Sequence, residues 1–316
     1  MTQPAAGVAE PPPSVISAAG VTKSWGTNVV FSDLTADVPR GVTGLLGSNG
    51  SGKTTLLGML LGLHEPNSGA LTVLGEDPAQ AGGDLRQRIG YSPEHHNLPP
   101  DIAAHDLVRH VAVIHGLPKR EATTRSSDAL WLVGLGEERA RPVGTMSTGQ
   151  RQRVKLALAI AHDPALILLD EPTDGLDPVQ RDGMLELIRR IGTEFGIDIL
   201  LSSHLLEEVE RIADNVVILN DGRVTASGRI DELRTGQGGM IAVIDNGVEG
   251  AIASMERRGL VIRAERDRLR IGGDLPPDQL ADAVRDSIAE NDATLRRLMP
   301  VQQTLEDLFL DEVYGE

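Results

Sequence analysis

The sequence predicts an α/β fold built on a largely parallel sheet, followed by a smaller second domain. Between residues 15 and 230 short β-like runs alternate with helical segments, which is the pattern of that fold class. A glycine-rich pattern typical of phosphate-binding loops follows an early apolar run. After Arg234 the stretch TGQGG indicates a flexible linker, and a chain of 316 residues is long enough for two domains.

The first fourteen residues, MTQPAAGVAEPPPS, are predicted to form a disordered tail because they are rich in Pro and Ala. They contain neither Lys nor Arg and no apolar core, so we expect no signal peptide. The early β-like runs of the first domain lie at 15–22, 29–38 and 42–46. Its later runs are short and apolar, as buried parallel strands should be. They lie at 165–169, 197–202 and 216–219.

Two further regions complete the predicted organisation. Between residues 103 and 161 amphipathic helical patterns dominate, which indicates a helical subdomain inserted within a first domain of residues 15–235. Residues 240–316 are predicted to form a small α+β domain in the order β-α-β-β-α-β, the ferredoxin-like arrangement. Its predicted elements are strand 240–244, helix 248–258, strands 260–264 and 267–271, helix 277–290, strand 293–299 and a terminal helix near 303–313.

Composition argues against several classes of function. A net charge of −16 and a pI near 4.9 oppose binding to a phosphate backbone, so we expect no nucleic-acid partner. The longest apolar stretch, 56–63, is far shorter than the about 20 residues that span a bilayer, so we expect no membrane crossing. The absence of cysteine excludes thiolate chemistry and suits a reducing cytoplasm.

The strongest motif is GSNGSGKT at residues 47–54, which follows an apolar strand and precedes a helical run. Glycines let successive backbone N–H groups turn toward phosphate oxygens. Because the motif lies between a strand and a helix, a phosphate loop is favoured over an ordinary glycine-rich turn. Lys53 is predicted to bind the β- and γ-phosphates, and Thr54 to offer its hydroxyl to Mg²⁺. The residues predicted to surround the nucleotide phosphates are Gly47, Ser48, Asn49, Gly50, Ser51, Gly52, Lys53, Thr54 and Thr55.

A second motif is ALILLDEP at 165–172, an apolar strand that ends in two carboxylates. Open α/β sheets bind ligands at the carboxyl ends of their strands. Asp170 is predicted to hold Mg²⁺ indirectly, through another ligand of the ion or through water, and Glu171 to orient and polarise the attacking water. For an isolated Asp-Glu pair, two solvated carboxylates would be the better interpretation, but the upstream phosphate loop favours the catalytic one.

Between these motifs, MSTGQ at 146–150 precedes a long helical run. At this point the sequence resembles the ATP-binding cassette family, in which an LSGGQ-like signature caps a helix and clasps the γ-phosphate held by the opposite protomer. The resemblance implies that role for Ser147, Gly149 and Gln150, while Met146 and Thr148 depart from the pattern. Taken alone, Ser147 would be read as a helix N-cap. The order of motifs favours the signature.

The resemblance extends over roughly residues 15–230 and implies further site residues. DGLD at 174–177 resembles the loop that follows the catalytic carboxylates, and His204 resembles the histidine that contacts the γ-phosphate and the attacking water. Trp25 stands where the family usually stacks an aromatic ring on adenine, with burial in a small β-subdomain as the alternative. Glu94 replaces the usual glutamine and is predicted to meet Mg²⁺ or its waters.

The function that this resemblance implies is ATP hydrolysis, with ATP and Mg²⁺ as cofactors, by two cassettes that close head to tail. One phosphate loop and one signature imply a second cassette, either a second copy or a paralogue. The lack of membrane spans implies a separate integral membrane permease, and so a location at the cytoplasmic face of the membrane. The ending TLEDLFLDEVYGE resembles export-type bacterial subunits. Residues 240–316 carry no phosphate or metal motif and are predicted to act in assembly.

Two rival functions remain at this point. One is a single-cassette soluble ATPase that acts in an assembly process rather than in transport. The other is a nucleotide-binding scaffold with vestigial hydrolysis, which the intact Lys53, Asp170, Glu171 and His204 disfavour.

Overall fold

The computed structural model describes residues 14–95, 98–236, 239–265, 268–273, 275–291 and 293–300. The chain divides between Gly228 and Arg229 into two compact units. The tail predicted for residues 1–14, except Ser14, and the helix predicted near 303–313 lie outside the described residues.

The strands of the first unit, in chain order, are β1 (Ile16–Trp25), β2 (Asn28–Val38), β3 (Val42–Gly47), β4 (Ser68–Val73), β5 (Ile89–Ser92), β6 (Leu166–Asp170), β7 (Asp198–Ser203), β8 (Asn215–Asn220) and β9 (Arg223–Arg229). Its helices are α1 (Lys53–Leu60), α2 (Gly82–Gln87), α3 (Ala104–Ile114), α4 (Lys119–Leu132), α5 (Thr148–Ile160), α6 (Pro178–Phe195) and α7 (Leu206–Ile212).

A six-stranded sheet in the order β5-β6-β7-β3-β8-β9 forms the centre of this unit, and its first four neighbouring pairs are parallel. Strand β6 shows why its sequence is a continuous apolar run. Ile167 and Leu169 pack into one hydrophobic cluster, whereas Leu166 and Leu168 pack into another, so both faces of the strand are covered. The largely parallel sheet predicted from the sequence is confirmed for this part of the unit.

Strands β1, β2 and β4 form a separate antiparallel sheet in the order β2-β1-β4, rather than part of the parallel sheet. Trp25 pairs with Asn28 across a two-residue turn. A turn this short joins only antiparallel strands, because a parallel pair needs a crossover of a dozen or more residues. Strands β1 and β2 therefore pair antiparallel. They lie in this separate sheet, and of the three early runs only β3 enters the main sheet.

The helical insertion consists of α3, α4 and α5, with 3-10 turns at Glu138–Ala140 and Val143–Thr145. Residues 115–118 separate α3 from α4, and both 3-10 turns lie between α4 and α5. Among the described residues, no helix combines the length and apolar character that a membrane crossing requires.

The second unit has the order β-α-β-β-α-β after a short helix, α8 (Ile230–Gly236). Its elements are β10 (Met240–Ile244), α9 (Val248–Arg257), β11 (Val261–Glu265), β12 (Arg268–Gly272), α10 (Pro277–Ala289) and β13 (Leu295–Pro300). All three strand pairings are antiparallel in the order β11-β12-β10-β13. Two helical crossovers with this strand order make the ferredoxin-like arrangement.

The boundary between the units differs from the predicted linker. The sequence places flexibility after Arg234, but the units separate at Gly228 and helix α8 continues to Gly236. Ile230 is buried, so α8 has an apolar contact that the glycine-rich composition of the following stretch does not reveal.

Two stacked histidines lie where the ends of α3 and α5 meet. The rings of His115 and His162 are 3.8 Å apart, and His162 is 7% exposed. Burial, with a smaller contribution from the His115 charge, lowers the pKa of His162 from 6.5 to about 4. The folded chain therefore holds His162 neutral at pH values where the unfolded chain would protonate it.

Acidification is expected to destabilise the fold through His162. The folded-state pKa is depressed, so its contribution to stability is complete above pH 6.5 and is lost as the pH falls toward 4. A shift of this size corresponds to a loss of about 2 kcal/mol in the free energy of unfolding between pH 7 and pH 5. Urea denaturation at both pH values should show this loss largely removed in His162→Gln. The control is His110→Gln, on the exposed side of α3, and equal pH dependence in the two variants would contradict the assignment.

Candidate active site

The phosphate loop connects β3 to the N-terminus of α1, and steric contacts explain why glycine occupies two of its positions. Gly52 has a φ of 102°, in the left-handed region that favours glycine. A Cβ on Gly52 would lie 2.7 Å from the Phe31 ring, and one on Gly47 would lie 2.5 Å from Ser51 Oγ. The hydroxyl of Ser51 is buried and has no hydrogen-bond partner among the residues that the structure describes. Glycine at these two positions is therefore explained by packing within the protein, and the unpartnered hydroxyl beside Gly47 fits a donor to a phosphate oxygen.

Lys53 is the charged group of this loop and is only 7% exposed. Its Nζ donates to the carbonyl oxygens of Gly47, at 2.7 Å, and Ser48, at 3.3 Å. The same Nζ lies 3.3 Å from Glu171 Oε1. The phosphate loop and the end of β6 are thus joined by a buried ion pair.

Asp170 and Thr54 bring hard oxygen donors together. Thr54 Oγ1 lies 3.2 Å from Asp170 Oδ2, and Ser202 Oγ donates to Asp170 Oδ1 at 2.7 Å. A hydroxyl and a carboxylate are ligands that Mg²⁺ accepts, with water and phosphate oxygens completing its octahedron. Among the described residues there is no cluster of three His, Asp or Glu side chains that would hold a metal alone. The donor set therefore fits a cation shared with a phosphate ligand.

Glu171 follows with an unusual backbone. Its φ is 45°, which is uncommon for a residue other than glycine and costs about 1 to 3 kcal/mol, so surrounding contacts must hold it. Its N–H donates to Ser202 Oγ at 2.9 Å, and its Oε2 lies 2.9 Å from His204 Nδ1. The carboxylate is thereby pointed between His204 and Lys53, where it can accept a proton from a water beside a bound γ-phosphate.

Glu94 lies in the loop after β5, and its side chain is 41% exposed. Its backbone oxygen accepts a hydrogen bond of 2.9 Å from Lys155 Nζ, which comes from α5. Burial raises the pKa of Tyr91 to about 12, and the charges of Asp170 and Glu94 add to that effect. Both carboxylates therefore act on the same part of the site, while a direct metal contact by Glu94 stays a prediction.

The signature segment begins α5 as a capping box. Ser147 Oγ accepts from the Gln150 N–H at 3.2 Å, and Gln150 Oε1 accepts from the Ser147 N–H at 3.1 Å. A Cβ on Gly149 would lie 2.6 Å from the end of the flexible, exposed Gln180 side chain, which can move aside, so packing within one chain does not require glycine there. Within one chain these groups satisfy the hydrogen bonds of the α5 N-terminus. Their contact with nucleotide stays a prediction.

Trp25 ends β1 and is 47% exposed, which shows that the alternative of a core position is wrong. His64 meets its ring edge-on, with ring centroids 4.9 Å apart, and Lys23 Nζ lies 4.2 Å from the ring centroid. An exposed indole held by two neighbours is a suitable platform for a planar base.

Sequence reasoning missed the two serines that end β7. Ser202 bonds to both Asp170 and Glu171, and Ser203 lies beside His204 and donates to Glu208 at 2.7 Å. The run SSH after an apolar strand is the signal that could have revealed them.

Comparison with known proteins identifies the family. A family model described as ABC transporter matches residues 31–174. The Nod factor export ATP-binding protein I of Ralstonia nicotianae is 36% identical over 233 residues, which cover 73% of this chain and 72% of that protein. This chain belongs to the ATP-binding cassette transporter family. The family implied by the sequence motifs is therefore confirmed.

Two further matches agree with this cassette assignment. The bacitracin transport ATP-binding protein BcrA of Bacillus licheniformis is 36% identical over 222 residues, covering 70% of this chain and 72% of that protein. A solved structure of an ATP-binding subunit of an ABC transporter is 30% identical, has a TM-score of 0.62, and matches 70% of this chain and 92% of its own. The chain is an ATP-binding cassette ATPase with the P-loop fold.

Proposed function

We propose that this cassette hydrolyses ATP with Glu171 as general base, within a head-to-tail pair of cassettes, and that this cycle powers a separate membrane permease in export. The observation that carries the proposal is that Glu171 contacts both Lys53 and His204: its Oε1 lies 3.3 Å from Lys53 Nζ, and its Oε2 lies 2.9 Å from His204 Nδ1. Such a cluster beside the phosphate loop fits hydrolysis of a phosphoanhydride.

Binding of the triphosphate uses the loop 47–55. The loop backbone would donate its N–H groups to phosphate oxygens, and the buried Ser51 hydroxyl is available to donate to one of them. Lys53 exchanges its Glu171 contact for phosphate oxygens, which gives a charge-assisted hydrogen bond. Thr54 and Asp170 would hold Mg²⁺, which supplies positive charge that offsets the β- and γ-phosphate oxygens when bound.

In the hydrolytic step, Glu171 accepts a proton from the attacking water. His204 Nδ1 holds Glu171 Oε2 at 2.9 Å, so the histidine fixes the direction of the carboxylate. Ser202 fixes both the backbone of Glu171 and the carboxylate of Asp170, because its hydroxyl bonds to each. These residues are thus preorganised for proton acceptance before nucleotide binds.

A second cassette, from another copy or a paralogue, would supply the signature. Ser147, Gly149 and Gln150 lie at the start of α5, where backbone N–H groups and the helix N-terminus favour an anion. Contact with the partner's γ-phosphate would make Ser147 and Gln150 exchange their mutual capping bonds for phosphate contacts.

The coupling to transport is the remaining part of the proposal. Relatives named as export and transport ATP-binding proteins support an export role at the cytoplasmic face of the membrane. A helix of the permease would bind near residues 94–106, the stretch that runs from the end of β5 into α3. The second domain, residues 240–316, would help to hold the assembly together.

Recovery of the chain from its native membranes tests this proposal. Full-length chain carrying Glu171→Gln, which should hold ATP without turnover, is expected to co-purify with an integral membrane protein in the presence of Mg-ATP. The matched comparison is Lys53→Ala, in which nucleotide-dependent recovery should fall. Recovery of only soluble assembly partners would contradict a transport role.

Adenine stacking on Trp25 gives an optical prediction. In a Trp131→Phe background, which removes the second tryptophan, ATP should change the fluorescence of Trp25 because the base covers the exposed indole. Trp25→Ala should weaken ATP binding about tenfold, since stacking of a base on an aromatic ring is worth about 1 to 3 kcal/mol. Trp25→Tyr should keep most of the affinity. If the Trp25 fluorescence does not change on addition of ATP, and Trp25→Ala binds ATP with unchanged affinity, the stacking of adenine on Trp25 is contradicted.

A further inference from the structure

A buried carboxylate outside the catalytic cluster connects the two chain segments to which the base and the histidine of that cluster belong. Glu208, on α7, is 3% exposed. Thr173 Oγ1 donates to its Oε1 at 2.8 Å, and Ser203 Oγ donates to its Oε2 at 2.7 Å. Arg181 Nε lies 3.3 Å from Oε1 and supplies the countercharge. Each oxygen of the carboxylate therefore has a hydroxyl donor from a different segment.

The positions of these two donors give the carboxylate its significance. Thr173 follows Glu171 by two residues in the turn after β6, and Ser203 immediately precedes His204 at the end of β7. Both hydroxyl residues are buried, at 3% and 0% exposure. Glu208 thus bridges the turn that carries the base to the strand end that carries its histidine.

Burial makes this bridge rigid. A carboxylate removed from water is costly unless hydrogen bonds and a countercharge compensate it, so its three partners are strongly held. The left-handed backbone of Glu171 also needs surrounding contacts to maintain it, and the Thr173 bond restrains the same turn. Loss of the bridge would free the two segments to shift relative to each other.

We propose that Glu208 is a positioning residue that sets the contact between Glu171 and His204. This inference rests on the proposed function of that pair. Glu208 touches neither residue's side chain through any described hydrogen bond, and it acts through Thr173 and Ser203. Its effect should therefore fall on the hydrolytic rate and not on the affinity for ATP, which depends on the phosphate loop.

Steady-state Mg-ATP hydrolysis by the full-length chain tests this role. Glu208→Ala is expected to lower kcat about 10²-fold, the cost of misplacing a catalytic group by about 1 Å, while the KM for ATP changes less than about twofold. Thr173→Val keeps the side-chain shape but removes one donor, and should lower kcat by about three- to tenfold. This milder variant tests the role even if Glu208→Ala fails to fold. The control is Glu207→Ala, the exposed neighbour on α7, which should hydrolyse ATP at the wild-type rate.

A second variant background distinguishes a positioning role of Glu208 from a general effect on the stability of the protein. In His204→Ala there is no histidine contact to set, so adding Glu208→Ala should lower single-turnover hydrolysis by less than about threefold. Glu208→Gln should restore part of the wild-type rate, because its amide oxygen still accepts one of the two hydroxyls. A full loss retained in the His204→Ala background, or a parallel loss of rate and ATP affinity, would overturn the inference. A wild-type chain that does not hydrolyse ATP would instead refute the proposed function.

Discussion

Replacing Glu171 with glutamine is expected to lower steady-state ATP hydrolysis by about 10²- to 10⁴-fold while leaving ATP binding intact, because general-base catalysis contributes a factor of that size. The amide keeps the shape of the side chain but cannot accept the proton of the attacking water. ATP should therefore accumulate unhydrolysed between two cassettes. The measurements are steady-state phosphate release, and light scattering for an ATP-dependent dimer.

The matched control for this change is Glu186→Gln, which makes the same substitution on the exposed side of α6 and should leave the rate unchanged. The Glu171→Gln substitution also weakens the ion pair with Lys53, so the ATP affinity of that variant should be unchanged or higher. Near-normal turnover in purified Glu171→Gln would remove Glu171 from the role of base.

Lys53→Ala should have the largest effect on nucleotide binding itself. The change removes a buried cation, and a hydrogen bond to a charged group is worth about 1.5 to 3 kcal/mol, so ATP affinity should fall by at least about tenfold. The loss should be greater for ATP than for AMP, because AMP lacks the β- and γ-phosphates. Equilibrium titration with each nucleotide measures both affinities.

Lys119→Ala removes the same charge at an exposed position at the start of α4 and serves as the control. Equal ATP affinity in Lys53→Ala and wild type would show that Lys53 does not meet the triphosphate. An equal loss for ATP and AMP would point instead to a distorted loop, since the Glu171 carboxylate loses its nearby cation in this variant.

The fold was predictable wherever the hydrophobic pattern of an element is local. Strand β6 is apolar along its whole length because both faces are covered, and that pattern is visible without a structure. Strand β4 begins with Ser68 and Gly69 and is exposed at its start, and β9 is a polar edge strand. Such strands depend on their neighbours for pairing and show little periodicity of their own. The short turn between β1 and β2 predicts that the two strands are antiparallel, but it does not predict that they lie outside the main sheet.

The motifs of the candidate site were predictable from the sequence, but the hydrogen bonds that connect its separate segments were not. The phosphate loop and the Asp170–Glu171 pair carry spacing that chemistry explains, so each could be assigned from the residues. Ser202 and Glu208 act through contacts with residues about 30 positions away in the chain, and no local pattern records a contact of that kind. The left-handed backbone of Glu171 is likewise a property of the folded turn, since glutamate gives no sign of it in sequence.

The ion pair between Lys53 and Glu171 affects which anions the phosphate loop admits. A buried ammonium without an anion would cost several kcal/mol, and the carboxylate already neutralises it. Any incoming anion must therefore compete with an internal carboxylate at high effective concentration. Chloride or a lone carboxylate offers no more charge than Glu171 and gains little by displacing it. A polyphosphate brings several charges and acceptors at once, so we expect the site to select anions by valence before it selects them by shape.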